Sequence, residues 1–370
     1  MDVRPFLKVM VDRKASDLFV TAGFPPSAKI DGELRPLSET SFNPEQSLDF
    51  VESLMTDVQK QEFHDSRECN FAFAAKDLGR FRVSAFWQRE SPGCVMRRIE
   101  TKIPEVDDLK LPPILKDLVM SKRGLIIMVG GTGTGKSTSL ASLVGYRNAH
   151  ARGHILTIED PVEFVHDHRK SIITQREVGI DTDSFDAALK SSLRQAPDVI
   201  LIGEIRTQET MEFALAFAET GHLCMATLHA NNANQALDRI MHLVPESKHN
   251  QLLFDLSLNL RGIVAQQLVA KSDGSGRRAA IEVLINTPRI ASLIAKNELH
   301  LLKETMSKSR EQGMQTFDQA LLDLYLEKEI SYADALHHAD SPNDLRLMIK
   351  LQTNETSGSG LMDGVTLDLG

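Results

Sequence analysis

Residues 125–138 read LIIMVGGTGTGKST. An unbroken apolar run, Leu125 to Val129, meets the pattern GxxxxGK[ST] at Gly130, Gly131, Thr132, Gly133, Thr134, Gly135, Lys136 and Ser137, with Thr138 opening a helical stretch. Each part has a physical task. Glycines let the backbone curl so that its N–H groups face phosphate oxygens, and the helix that follows offers the positive end of its dipole. Lys136 then neutralises the β and γ oxygens of a nucleotide such as ATP, and the Ser137 hydroxyl is the hard oxygen ligand that Mg²⁺ prefers. The alternative, a glycine-rich turn with no ligand, does not require a lysine and a hydroxyl at those two positions.

Working outward, the apolar runs Leu125 to Val129, His154 to Ile158, Val199 to Ile202 and Leu223 to Leu228 alternate with longer helical patterns. Runs without polar alternation are expected of parallel strands covered on both faces, so the region beyond Gly124 is predicted to be α/β. A strand pair is expected at Ile263–Val269 and Ala279–Ile285, joined by residues 272–276, with helices from there to about Leu351. Before Gly124 the texture differs. Phe71 and Phe73, then Phe81, Val83, Ala85 and Trp87, then Cys94 and Met96 alternate with polar residues, the period of an antiparallel meander with one buried face. Short strands are predicted at 17–21, 27–30 and 33–35, with a hairpin turn at Asp31–Gly32, and helices near the start and after Asn43–Pro44. These make a small α+β domain over residues 1–99. Pro104, Pro112 and Pro113 among acidic residues mark a linker at 100–113, the α/β domain spans 114–352, and the Ser-, Thr- and Gly-rich stretch 353–370 is predicted to be a flexible tail.

A phosphate loop alone does not separate kinases, GTPases and ATPases; the strand ends must decide. One strand runs into Glu159, Asp160 and, past Pro161, Glu163, and another ends Gly203, Glu204, Ile205, Arg206. Acids at the ends of neighbouring parallel strands offer one group to activate water and one to hold Mg²⁺, where the alternative is helix capping or a surface ion pair. His222 and His229 bracket a strand, too far apart for an i,i+4 metal pair. His229, at the strand's C-terminal end, either senses a γ-phosphate or is a hydrogen-bonded structural histidine.

Composition limits the remaining choices. The 370 residues carry 42 Lys+Arg against 51 Asp+Glu, a net charge of −9, with 3 Cys and 42% hydrophobic residues. That charge, without an aromatic-rich basic stretch, disfavours a nucleic-acid motor and a nucleic-acid partner. Cys69, Cys94 and Cys224 have neither CxxC spacing nor a histidine pattern, which fits a reducing cytosol and argues against zinc. The charged start and the lack of about 18 consecutive apolar residues predict a chain neither exported nor membrane-spanning.

Taken in order, Ala15 to Leu18, Phe81 to Val83, the phosphate loop, the acidic box Thr157 to Glu163, Gly203 to Arg206 and the histidine box Thr220 to His229 resemble the secretion-ATPase superfamily that drives type II secretion and type IV pili. The resemblance covers Ala15 to about Leu351. It implies a RecA-like P-loop ATPase core with a smaller PAS-like N-terminal domain, assembled as a homo-hexamer. Matched residue by residue, it makes Glu163 the catalytic glutamate, Glu204 the Walker B acid and an Mg²⁺ ligand, His229 the γ-phosphate sensor, and Arg82 and Arg97 arginines that reach an ATP in trans. The chain is similar in length to the retraction branch. Residues 290–298 and Thr207–Gln208 depart from the principal retraction motor and resemble the accessory, PilU-type members. By that resemblance the partners are a PilT-type retraction ATPase and a PilC-type platform protein, at the cytoplasmic face of the inner membrane. Pilus retraction and twitching motility would be the function, as a motor or as an ATP-dependent regulatory module.

Overall fold

The computed structural model describes residues 1–30, 32–99 and 102–357. Asp31 of the expected hairpin turn, the first two residues of the expected linker, and the expected tail from residue 358 on lie outside them. The chain forms two compact units: Met1–Ile103 with Asp160–Asp167 and Arg176–Ser184, and Pro104–Glu159 with His168–Gln175 and the chain from Phe185 onward.

In the first unit, strands β1 (Asp17–Thr21), β2 (Ser27–Ile30), β3 (Glu33–Pro36), β4 (Glu68–Ala75), β5 (Gly79–Gln88) and β6 (Ser91–Ile99) form an antiparallel sheet in the order β3-β2-β1-β6-β5-β4. Phe81, Val83 and Met96 are fully buried on one face, the outcome that the period-two pattern predicts. Three helices cover that face. Arg4–Asp12 buries Leu7 and Met10. Pro44–Glu52 buries Phe50 and begins with a capping box in which Asn43 and Gln46 satisfy each other's backbone N–H groups. Asp57–Ser66 buries Phe63 and starts with the same device, from Thr56 and Gln59.

The second sheet holds strands β7 (Gly124–Val129), β8 (Gly153–Glu159), β9 (Ser171–Glu177, whose last two residues count with the first unit), β10 (Val199–Ile202), β11 (Leu223–Leu228), β12 (Leu260–Ala270) and β13 (Arg277–Ile285), in the order β13-β12-β7-β11-β10-β8-β9. The four apolar runs are the parallel strands β7, β11, β10 and β8 at its centre. This is the RecA-like α/β core that the sequence implies. The strand pair expected near its end is present as well: β12 joins β7 in parallel and β13 returns antiparallel. Register matters more than membership here. Leu228 lies opposite Val129, and Ile202 lies opposite both Ala226 and Ile158, so the four central strands end at nearly the same level. The residues that follow, Gly130, His229, Gly203 and Glu159, therefore leave the sheet side by side, in the place where open α/β sheets bind ligands.

Two elements differ from expectation. β9 was not anticipated, because SIITQRE on a sheet edge leaves Ile172 62% exposed and shows no continuous apolar run. The last helix runs Pro342–Ser357, so the first five residues of the expected tail are helical.

Candidate active site

The phosphate loop is set by backbone conformation. Gly130, Gly133 and Gly135 have φ of 156°, 79° and 84°, values that side chains with a Cβ resist. At Gly130 an added Cβ would lie 2.6 Å from the Gln266 carbonyl, and at Gly135 2.8 Å from Gln266 Nε2. Loop and strand β12 are thus in contact. The Gln266 Nε2 donates to the Thr134 carbonyl at 2.8 Å, and Thr134 Oγ1 donates to the Gly131 carbonyl at 2.9 Å. Lys136 begins the helix Lys136–His150, and its Nζ lies 2.7 Å from both the Gly130 and Gly131 carbonyls, which holds the ammonium inside the loop.

Beside the loop, Glu204 leaves β10 with its side chain 16% exposed. One oxygen accepts from Arg206 (Nε 2.7 Å, Nη2 2.6 Å); the other lies 3.2 Å from His229 Nε2. The strand ends are locked together as well: Ile205 N donates to the Thr227 carbonyl at 2.9 Å, and Thr227 Oγ1 donates to the Gly203 carbonyl. Glu159, the first of the three strand-end acids, accepts from Thr157 Oγ1 at 2.6 Å and Gln175 Nε2 at 3.3 Å. The structure thus brings together Lys136, Glu204, Arg206 and His229 from three neighbouring strand ends.

A cleft of about 750 Å³ opens between Gly131 and His229 and continues past Asn231, Gln235 and Asp238. It follows the helix Ala233–His242, whose start is capped by Asn232. On the other side of the loop a second cleft, about 390 Å³, is lined by Thr138, Gly135, Gln266, Leu268 and Arg278.

Glu163, Arg82 and Arg97 belong to the first unit. Glu163 sits on the segment Asp160–Asp167, and the backbone N–H just before it, at Val162, donates to Glu177 Oε2 at 3.2 Å. Glu177 is 1% exposed. Arg82 and Arg97 are directly opposite on β5 and β6, and Arg97 Nε donates to Asp17 Oδ1 at 2.8 Å.

Sequence reasoning missed three polar residues that support this geometry: Glu177, Gln266 and Glu282. Glu282, on β13 and 2% exposed, accepts from the N–H groups of Ala233 (2.8 Å) and Phe317 (3.3 Å), the first residues of two helices. Burial pushes its carboxyl up to about 7, against the pull of those two bonds. The available signal was a lone polar residue in the apolar run AAIEVLI for Glu282 and a glutamine pair in IVAQQLV for Gln266, while SIITQRE gave none for Glu177.

Among the described residues no group of three or more His, Cys, Asp and Glu forms a metal cage, and no helix is long and apolar enough to cross a membrane.

Comparison with known proteins places this arrangement. The chain is 59% identical over 371 residues to the type IV pilus ATPase PilU of Pseudomonas aeruginosa, covering 100% of this chain and 97% of that one. It is 38% identical over 344 residues to the type IV pilus retraction ATPase PilT of the same organism, covering 93% and 100%. A crystal structure of the pilus retraction motor PilT with bound ADP superposes with a TM-score of 0.88 at 39% identity, over 94% of this chain and 100% of that one. The family described as type II/IV secretion system protein matches residues 5–331. The chain, with its phosphate loop and its aligned acidic and histidine strand ends, belongs to the type II/IV secretion system protein family.

Proposed function

We propose that the chain is a Mg-ATP-hydrolysing ring motor of type IV pilus retraction that works with a PilT-type retraction ATPase. One observation carries the reading: the loop holding Lys136 opens beside Glu204 and His229, which lie 3.2 Å apart at aligned strand ends. Charge that develops on a γ-phosphate there has backbone N–H groups, an ammonium and an imidazole within the same cluster of strand ends.

Each residue has a defined part. Lys136 and the loop N–H groups hold the β and γ oxygens. Ser137 and Glu204 are hard oxygen donors that fit Mg²⁺, which neutralises phosphate charge when bound with the nucleotide. Because Glu204 is engaged by Arg206 and His229, a change at the γ-phosphate is transmitted to both strand ends. Glu163 orients and deprotonates the attacking water. Arg82 and Arg97 reach the nucleotide of a neighbouring subunit, so each active site is completed within a homo-hexamer. The proline-containing stretch 100–113 links the N-terminal domain to the ATPase core. The ring works at the cytoplasmic face of the inner membrane against a PilC-type platform.

A second reading, an ATP-dependent accessory module with little motor activity of its own, is favoured by the greater identity to PilU than to PilT. One experiment separates the two. Mg-dependent ATP turnover is measured across a protein concentration series, with Glu163→Gln as the blank and a PilT-type protein added in parallel. Turnover that rises cooperatively with concentration supports the autonomous ring. Turnover only with the added protein supports the accessory module, and turnover unchanged in Glu163→Gln overturns the assignment of the base.

A further inference from the structure

The outer face of the N-terminal sheet carries one row of paired residues: Ala72, Arg82, Arg97, Asp17 and Lys29, on β4, β5, β6, β1 and β2. Two arginines directly opposite each other on antiparallel strands repel, so stability alone does not favour this row. Asp17 is the single carboxylate in it, and its side chain is 7% exposed while that of Arg97 is 71% exposed. Both Asp17 oxygens are used: Oδ1 accepts from Arg97 Nε at 2.8 Å and Oδ2 from Ser16 Oγ at 2.8 Å. The contact to Arg97 runs through Nε alone. Its two terminal nitrogens make no hydrogen bond among the described residues, and they are the fork that matches two phosphate oxygens.

We propose that Asp17 is a positioning residue that holds the Arg97 guanidinium by its inner nitrogen, so that both outer nitrogens face an incoming phosphate. The inference rests on the reading that Arg97 serves a nucleotide in trans. A buried carboxylate anchoring the base of a long, exposed side chain removes rotamer freedom before the phosphate arrives, so the ordering cost is not charged to the reaction. Immobilising one such side chain is worth roughly 3- to 10-fold. Were the pair merely structural, its effect would fall on stability and would be small, as exposed ion pairs are.

The test is a double-mutant cycle on the full chain at ring-forming concentration, reading release of radiolabelled phosphate from Mg-ATP. Asp17→Asn keeps the shape of the side chain and removes its charge; Asp17→Glu keeps the charge as a conservative control. Asp17→Asn is expected to lower kcat roughly 3- to 10-fold with KM for ATP unchanged, and Asp17→Glu to lose less. Arg97→Ala is expected to lower kcat on the order of 10³-fold. The double variant Asp17→Asn/Arg97→Ala should turn over at the rate of Arg97→Ala alone, since Asp17 then has nothing to hold. Losses that multiply, or an Asp17→Asn variant with unchanged kcat, overturn the positioning role while leaving the trans arginine intact. An Arg97→Ala variant with unchanged kcat overturns the trans-arginine reading itself, and the role of Asp17 with it.

Discussion

Replacing Glu282 by glutamine should raise stability, relative to the wild type, as pH rises from 5 to 8. The carboxyl lies on β13 at 2% exposure, and burial raises its affinity for a proton, to a pKa of about 7 from the ordinary 4.5. The folded state therefore binds that proton more tightly than the unfolded chain between those two values. The stability this lends is fully present below 4.5 and is lost as pH rises through about 7. At 1.36 kcal/mol per pH unit the interval amounts to about 3 kcal/mol. Glutamine does not titrate, but only its Oε1 accepts, so one of the two N–H groups that Glu282 binds through separate oxygens loses its acceptor at every pH, a constant cost of about 1–3 kcal/mol. The variant's stability relative to the wild type should therefore rise by about 2–3 kcal/mol between pH 5 and pH 8, on top of that constant offset. Asp340 adds to the upward push on Glu282, while Lys303, which contacts Asp318 and Asp340, opposes it. Urea unfolding of the nucleotide-free chain, followed by circular dichroism from pH 5 to 8, gives both curves. Their difference cancels the other carboxylates and the 12 histidines. Parallel curves would refute the argument that a charged carboxylate is held in the core at a cost.

Other perturbations test the remaining links. Glu163→Gln should retain nucleotide affinity, read by a fluorescent ATP analogue, and lose roughly 10²–10⁴-fold in turnover. Gly135→Ala places a methyl 2.8 Å from Gln266 Nε2 at a φ of +84°, so the loop must shift. Its nucleotide affinity should fall at least ~10-fold while the far-ultraviolet circular dichroism is kept, and normal affinity would show that the loop geometry is not needed. Phe217→Ala empties a fully buried site on the helix Gln208–Glu219 and should cost about 3–5 kcal/mol, read as a lower urea midpoint.

The parts of this protein that could be read from its sequence are those governed by periodicity or by a local motif. The four central strands announce themselves because both faces are covered, and the glycine spacing of the phosphate loop has few other uses. β9 stayed hidden because an edge strand buries little and carries polar residues on both sides of its pleat. The helical residues 353–357 were read as tail because Thr, Asn and Ser are weak helix formers and the helix Pro342–Ser357 is seen only as a continuation of LRLMIKLQ. Glu204 and His229 were legible as strand-end residues. That each occupies the other depends on the register of β10 against β11, which no local pattern encodes.

Four buried polar residues, three of them outside the motifs and Asp17 within Ala15 to Leu18, share one feature. Gln266 braces the phosphate loop at Thr134; Glu282 accepts from the helix that follows His229; Glu177 holds the backbone at Val162, next to Glu163; and Asp17 holds Arg97. Each is a polar side chain no more than 5% exposed, and each comes from a strand. Loops at the end of a sheet cannot be fixed by apolar packing, because their backbone N–H and C=O groups must face solvent or ligand. A buried polar side chain solves this by reaching from the rigid sheet to one backbone or guanidinium atom of the loop or strand that carries the chemistry. The desolvation it suffers is offset only when that partner is in place, so a displaced loop leaves a buried polar atom unsatisfied.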